Sequence, residues 1–100
     1  MNPRYALLAA CMMHVEGYYS VKSEAFRNRN PGNLEHADGK MQVYGSVLEG
    51  FTALLNDIAD NAGKTLSEFL DKYAPDSEND TNLYINVVSR LSAIGPGEVL

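Results

Sequence analysis

Of the thirteen acidic side chains in the sequence, Glu16 has the setting best suited to chemistry. It lies on the margin of an apolar stripe formed by Leu7, Leu8, Cys11, Met12 and Val15, on the last turn of a helix that Gly17 stops. Partial desolvation there would raise a carboxyl pKa, and the negative end of the helix dipole would disfavour ionisation further. The segment directly downstream is irregular and rich in Asn and Gly, the composition of a loop that walls a cleft. A carboxylic acid held protonated near neutral pH is what cleavage of a glycosidic bond asks of its general acid. The competing reading is a solvated Glu at a helix end.

Other chemistries find little support. A single cysteine, Cys11, excludes an intrachain disulfide and a paired-thiolate metal site. His14 and His36 have neither the i, i+4 spacing nor the flanking cysteines of metal ligands, so no metal and no cofactor is expected. Ser20 and Ser23 lack a His–acid partner for nucleophilic catalysis. The formal charge is −5, and among the eight cationic residues only Arg27 and Arg29 fall close together, which argues against a nucleic-acid partner. The longest apolar run, residues 5–13, is far shorter than the ~20 residues a membrane span takes. Within it, Leu8-Ala9-Ala10-Cys11 looks like a lipid-attachment box, but the stretch before it is too short for a signal segment; a buried helix face is expected, without membrane insertion. No compartment can be assigned.

The planar forks of Arg27 and Arg29 could contact substrate carbonyls or carboxylates. Alternatively, one of them pins the loop through Glu24, Glu35 or a backbone carbonyl. Asn30 and Asn33 suit left-handed turn positions better than they suit sugar contacts. Tyr18, Tyr19 and Tyr44 could stack on sugar rings, whereas Tyr73 and Tyr84 fall on apolar helix faces, where burial is expected.

The elements that must position these groups are marked by caps and stops. Asn2-Pro3 opens the first helix. Residues 18–46 lose helical period, and within them Asp38-Gly39 predicts a two-residue hairpin turn pairing Leu34 with Val43 and His36 with Met41. Ser46-Val-Leu-Glu49 reads as a capping box, followed by Leu48, Phe51, Leu54, Leu55, Ile58 and Ala62 on one face and a stop at Gly63. Thr65-Leu-Ser-Glu68 is a second such box, opening a short helix with Leu66, Phe69, Leu70 and Tyr73 inward, ended by Ala74-Pro75. After the polar loop 76–80, a last helix presents Leu83, Tyr84, Val87, Val88 and Leu91 and stops at Gly95-Pro96-Gly97. One hundred residues leave room for one domain, 1–100. The order of elements predicts an α+β fold in which helices dominate.

Three stretches carry a family resemblance over about residues 8–95: Val15-Glu-Gly-Tyr-Tyr19 with Ala25-Phe-Arg-Asn-Arg-Asn-Pro-Gly-Asn-Leu34, Tyr44-Gly-Ser-Val-Leu-Glu-Gly-Phe51, and Ala74-Pro-Asp-Ser-Glu-Asn-Asp-Thr-Asn-Leu-Tyr84. Together they resemble the lysozyme-like superfamily, in particular small phage and bacterial muramidase or lytic-transglycosylase-like domains. The resemblance implies a lysozyme-like α+β domain, mainly helical, with one β-hairpin forming a cleft wall. It implies a glycosidase acting on the peptidoglycan glycan strand as a monomer, with Glu16 as general acid/base and Tyr84 orienting it. Tyr19, Arg27, Asn30, Asn33, Glu35 and Tyr44 would then contact substrate. Position 25, where phage lysozymes carry an Asp, is Ala, and Glu35 and Asp38 are the nearest other carboxylates. A missing partner favours transglycosylase-style chemistry, in which one protein carboxylate suffices. The alternative is a peptidoglycan-binding or virion structural module that keeps the fold without turnover.

Overall fold

Five helices are set by five side-chain caps in a computed structural model that describes residues 2–77 and 79–100. They are α1 (Pro3–Val15), α2 (Glu24–Arg27), α3 (Val47–Asp60), α4 (Leu66–Tyr73) and α5 (Thr81–Ser92). The side chains of Asn2, Ser23, Ser46, Thr65 and Asp80 each accept a backbone N–H from the first turn of the helix they precede. Each such cap contributes about 1 kcal/mol. At α4 the box is reciprocal: Glu68 returns a carboxylate oxygen to the Thr65 N–H. At α3, Glu49 reaches one residue further and accepts from the Gly45 N–H. Glu78, within the third resembling stretch, lies outside the described residues.

α1 packs against both α3 and α5, and α5 packs in turn on α4. A helix with partners on several sides must bury more than one stripe, and α1 encloses Tyr5, Leu8, Ala9, Cys11, Met12 and Met13. Leu54 and Ile58 of α3, Leu66, Phe69 and Leu70 of α4, and Val88 of α5 complete the core. Cys11 is enclosed, and burial raises its thiol pKa. Five residues expected on inward faces, Leu7, Leu48, Ala62, Leu83 and Leu91, are exposed instead. The buried stripe of α3 runs through Gly50, Leu54 and Ile58; at ~100° per residue, Leu48 stands about 120° away from Leu54. The C-terminal segment folds back along the start of α4. There the N–H groups of Leu66 and Ser67 donate to the carbonyls of Glu98 and Pro96, and an exposed Arg4–Glu98 ion pair ties the segment to α1.

The α+β expectation is overturned: among the described residues the regular structure is helical, with no strand and no sheet. The expected β-hairpin reduces to one isolated antiparallel bridge, Glu35 to Met41. Its register is also one residue off from the predicted pairing of Leu34 with Val43 and His36 with Met41. The loop holds three residues, 37–39. Gly39 donates to the His36 carbonyl and takes φ +84, so it supplies the left-handed position that ends a three-residue turn. One cross-chain bond continues past the bridge, from the Gln42 N–H to the Leu34 carbonyl, and Asn30 replaces its reciprocal: its buried amide accepts the Leu34 N–H and donates to the carbonyls of Gln42 and Leu34, so the ladder goes no further. Beyond that point the returning chain bonds to residues 28–29, through Tyr44 N–H to the Asn28 carbonyl and Arg29 Nε to the Tyr44 carbonyl.

Candidate functional site

Glu16 is the residue at which α1 ends. Gly17, at φ +80, donates to the His14 carbonyl, and Tyr18 donates to the Met13 carbonyl. These two bonds close the helix in the Schellman manner and turn the chain sharply away. The half-buried Glu16 side chain is left at the head of a cleft of about 470 Å³. Both carboxylate oxygens have a fixed donor. Tyr84 Oη–H donates to Oε2 at 2.7 Å, and Asn33 Nδ2 donates to Oε1 at 3.0 Å and to the Glu16 main-chain carbonyl at 3.1 Å.

The run from Arg29 to Asn33 delivers that second donor. Arg29 and Asn30 tie the segment to the returning chain, and Pro31 is fully buried. Gly32 lies so close to Tyr73 and Leu54 that a Cβ there would fall 2.7 Å from the Tyr73 hydroxyl. Tyr73 Oη–H donates to the Gly32 carbonyl, clamping the backbone to α4. Asn33 then adopts the left-handed region, φ +50, which Asn tolerates better than most residues and which swings its amide onto Glu16.

Tyr84 is only 5% exposed. Burial pushes its phenol far above the ordinary range, with the Glu16 charge, Tyr73 and the hydrogen bond to Glu16 acting in the same direction. Tyr84 therefore stays a donor. Burial first, then the charges of Glu16 and Asp57, likewise hold Tyr73 protonated.

The cleft is lined by Glu16, Gly32, Asn33, Leu34, Glu35, Met41, Asp57, Lys72, Tyr73, Pro75 and Asn79. Two neighbouring hollows share lining residues with it. One, of about 480 Å³, shares Leu34, Glu35 and Asp57 with it and adds Tyr44. The other, of about 400 Å³, shares Asn79 and is lined by His14, Val15, Leu83, Tyr84 and Val87. A volume of this size accepts a sugar-sized ligand.

Of the residues singled out in the sequence, Glu16, Tyr84, Asn33, Glu35 and Tyr44 come together along this groove. Three others do not line these hollows, for identifiable reasons. Asn30 is fully enclosed, with its amide used on backbone groups. The Arg27 guanidinium donates to the Lys22 carbonyl, which is the loop-pinning alternative. Tyr19 packs edge-on against Tyr18, and its hydroxyl donates to the Ala10 carbonyl. Asp38 lies in the turn, where it accepts the Lys40 N–H.

Sequence reasoning missed Asp57, Lys72 and Tyr73 as cleft residues. The signal for Asp57 was present, because it adjoins the buried stripe of α3 as Glu16 adjoins that of α1. Burial, reinforced by Asp60 and opposed by Lys72 and Lys64, raises the Asp57 pKa. Among the described residues there is no group of His, Cys, Asp and Glu side chains arranged to hold a metal ion. Comparison with protein-family models, with curated proteins and with solved structures finds no match.

Proposed function

We propose that this chain cleaves the bond between N-acetylmuramic acid and N-acetylglucosamine in the glycan strand of peptidoglycan, with Glu16 as the proton donor. The observation that carries this reading is the Glu16 carboxyl lining a cleft of about 470 Å³, held at one oxygen by Tyr84 and at the other by Asn33. A carboxyl with two fixed donors has lost most of its rotational freedom before substrate arrives, which lowers the entropic cost of proton transfer. Each oxygen keeps a further lone pair, one to carry the proton and present it to the glycosidic oxygen. As that proton moves, the bond from the anomeric carbon to the oxygen breaks, and the resulting Glu16 carboxylate is stabilised by the phenol and the amide already in place. The likeness of residues 15–19, 25–34 and 74–84 to lysozyme-like domains supports the same assignment.

The test is incubation with purified peptidoglycan and mass analysis of the soluble fragments. Wild-type protein is expected to release muropeptides. Glu16→Gln is expected to lower the rate by about 100-fold or more, the usual worth of a positioned general acid, with an unchanged melting temperature. Undiminished release by Glu16→Gln would falsify the assignment of the acid. Intact glycan that pellets with bound wild-type protein would instead establish a binding module without turnover.

A further inference from the structure

Asp57 is a carboxylate without a structural job. Its main-chain carbonyl accepts the Asn61 side-chain amide, yet its carboxylate has no hydrogen bond and no ion pair among the described residues. It is half-buried on α3, and the cleft beside Glu16, the hollow beyond Glu35 and a smaller one against Phe69 all meet at it. Holding a carboxylate without a hydrogen-bond partner partly out of water costs free energy; the like charge of Asp60 adds to the cost, and the charges of Lys72 and Lys64 offset part of it. Such an arrangement persists where a ligand or a reaction uses it. Glu35, the other carboxylate that lines the cleft, is exposed and solvated.

Resting on the function proposed above, we infer that Asp57 is the second catalytic carboxylate, the base that activates water for attack on the anomeric carbon. Asp57 takes one proton from the water molecule while the water oxygen bonds to that carbon. The glycosidic bond breaks, and its oxygen leaves with the proton from Glu16. One water is consumed; Asp57 ends protonated and Glu16 ionised, and exchange with solvent restores both. A base on the protein makes the reaction a hydrolysis ending in a reducing sugar, whereas a lone Glu16 would draw on the sugar's own hydroxyl and leave a 1,6-anhydro end. The raised pKa of Asp57, which has burial as its main cause, makes it a stronger base than an exposed carboxylate.

The experiment compares wild type, Asp57→Asn and Asp57→Ala on purified peptidoglycan, reading kcat, KM and the chemistry of the new ends. The wild type is expected to give reducing ends. Asp57→Asn is expected to lose about 100-fold or more in kcat with KM within about twofold, and its residual product to shift toward anhydro ends. Azide added to Asp57→Ala restores bond cleavage and yields a glycosyl azide of inverted configuration, a product that no merely structural role of Asp57 would generate. With no partner to lose, Asp57→Asn melts at or above the wild-type temperature; a variant that fails to fold overturns the inference. So do wild-type products that carry only anhydro ends, an undiminished kcat in Asp57→Asn, or an absence of azide rescue. Active wild type with inactive Glu16→Gln and fully active Asp57→Asn sinks the role of Asp57 alone, whereas inactive wild type sinks the proposed function with it.

Discussion

Tyr84 reaches Glu16 across 68 positions of sequence. Periodicity could say only that Tyr84 faces inward; that its hydroxyl ends on the acid follows from how α5 packs on α1, which no local pattern encodes. Glu16 was legible because the stripe it borders, the glycine that stops its helix and the loop beyond are all local. Asp57 shares only the first of these marks, a place beside a buried stripe: it lies within α3 and not at its stop, and the loop that faces it comes from residues 32–35. Under the proposed function Tyr84 and Asn33 position the Glu16 carboxyl, and each can be removed cleanly. Tyr84→Phe deletes one donor to the carboxyl and keeps the ring in the core. Asn33→Gly deletes the other and suits φ +50. Hydrogen bonds to a charged group contribute about 1.5–3 kcal/mol, so each change is expected to lower kcat about 10- to 100-fold. KM should move little, because neither group needs to touch sugar. Steady-state kinetics on soluble muropeptide oligomers would check this, and a loss confined to KM would show that these side chains bind substrate.

At the level of elements, the four longer helices could be read from caps and stops, because capping depends on residues within one turn of each end. α2 could not: four residues give no period, and only Ser23 marks its start. The hairpin failed for a different reason. Asp38-Gly39 is a true turn signal, but whether the Gly ends a two- or a three-residue loop depends on what holds the flanks. Here Asn30 holds them, by claiming the carbonyls of Leu34 and Gln42. The same loop explains a glycine in the interior of α3. Gly50 is buried against Arg29 and Pro31, and a Cβ there would collide with the Arg29 carbonyl oxygen and fall 2.8 Å from Pro31 Cδ. Helix propensity alone predicts that Gly50→Ala stabilises by about 1 kcal/mol. The close approach reverses the sign, because the Arg29–Asn33 segment would have to lift off α3, and the expected result is a loss of about 1–3 kcal/mol. Urea unfolding measures it, and activity should fall in parallel as Asn33 is drawn away from Glu16. A stabilised Gly50→Ala would mean that the loop shifts freely over the helix and does not fix the acid's donor.

For the whole molecule the telling quantity is charge. The chain carries −5 overall, and among the described residues the cleft beside Glu16 holds Glu16, Glu35 and Asp57 against one cation, Lys72. Peptidoglycan bears free carboxylates on its stem peptides, so under the proposed function the chain and its polymer repel at long range. Repulsion of this kind acts on the rate of encounter and is screened by salt. Raising ionic strength from about 0.01 M to 0.15 M shortens the Debye length from roughly 30 Å to 8 Å. The expected outcome is that kcat/KM on sacculi rises severalfold over this range with kcat nearly constant. A neutral oligomer of N-acetylglucosamine should show no such change, since it has no charge to be repelled. Turnover assays of both substrates across the salt series decide the matter. If salt slows the reaction on sacculi, Lys72 is steering anionic glycan into the groove strongly enough to outweigh the field of the rest of the molecule, and Lys72→Gln should then abolish that salt dependence.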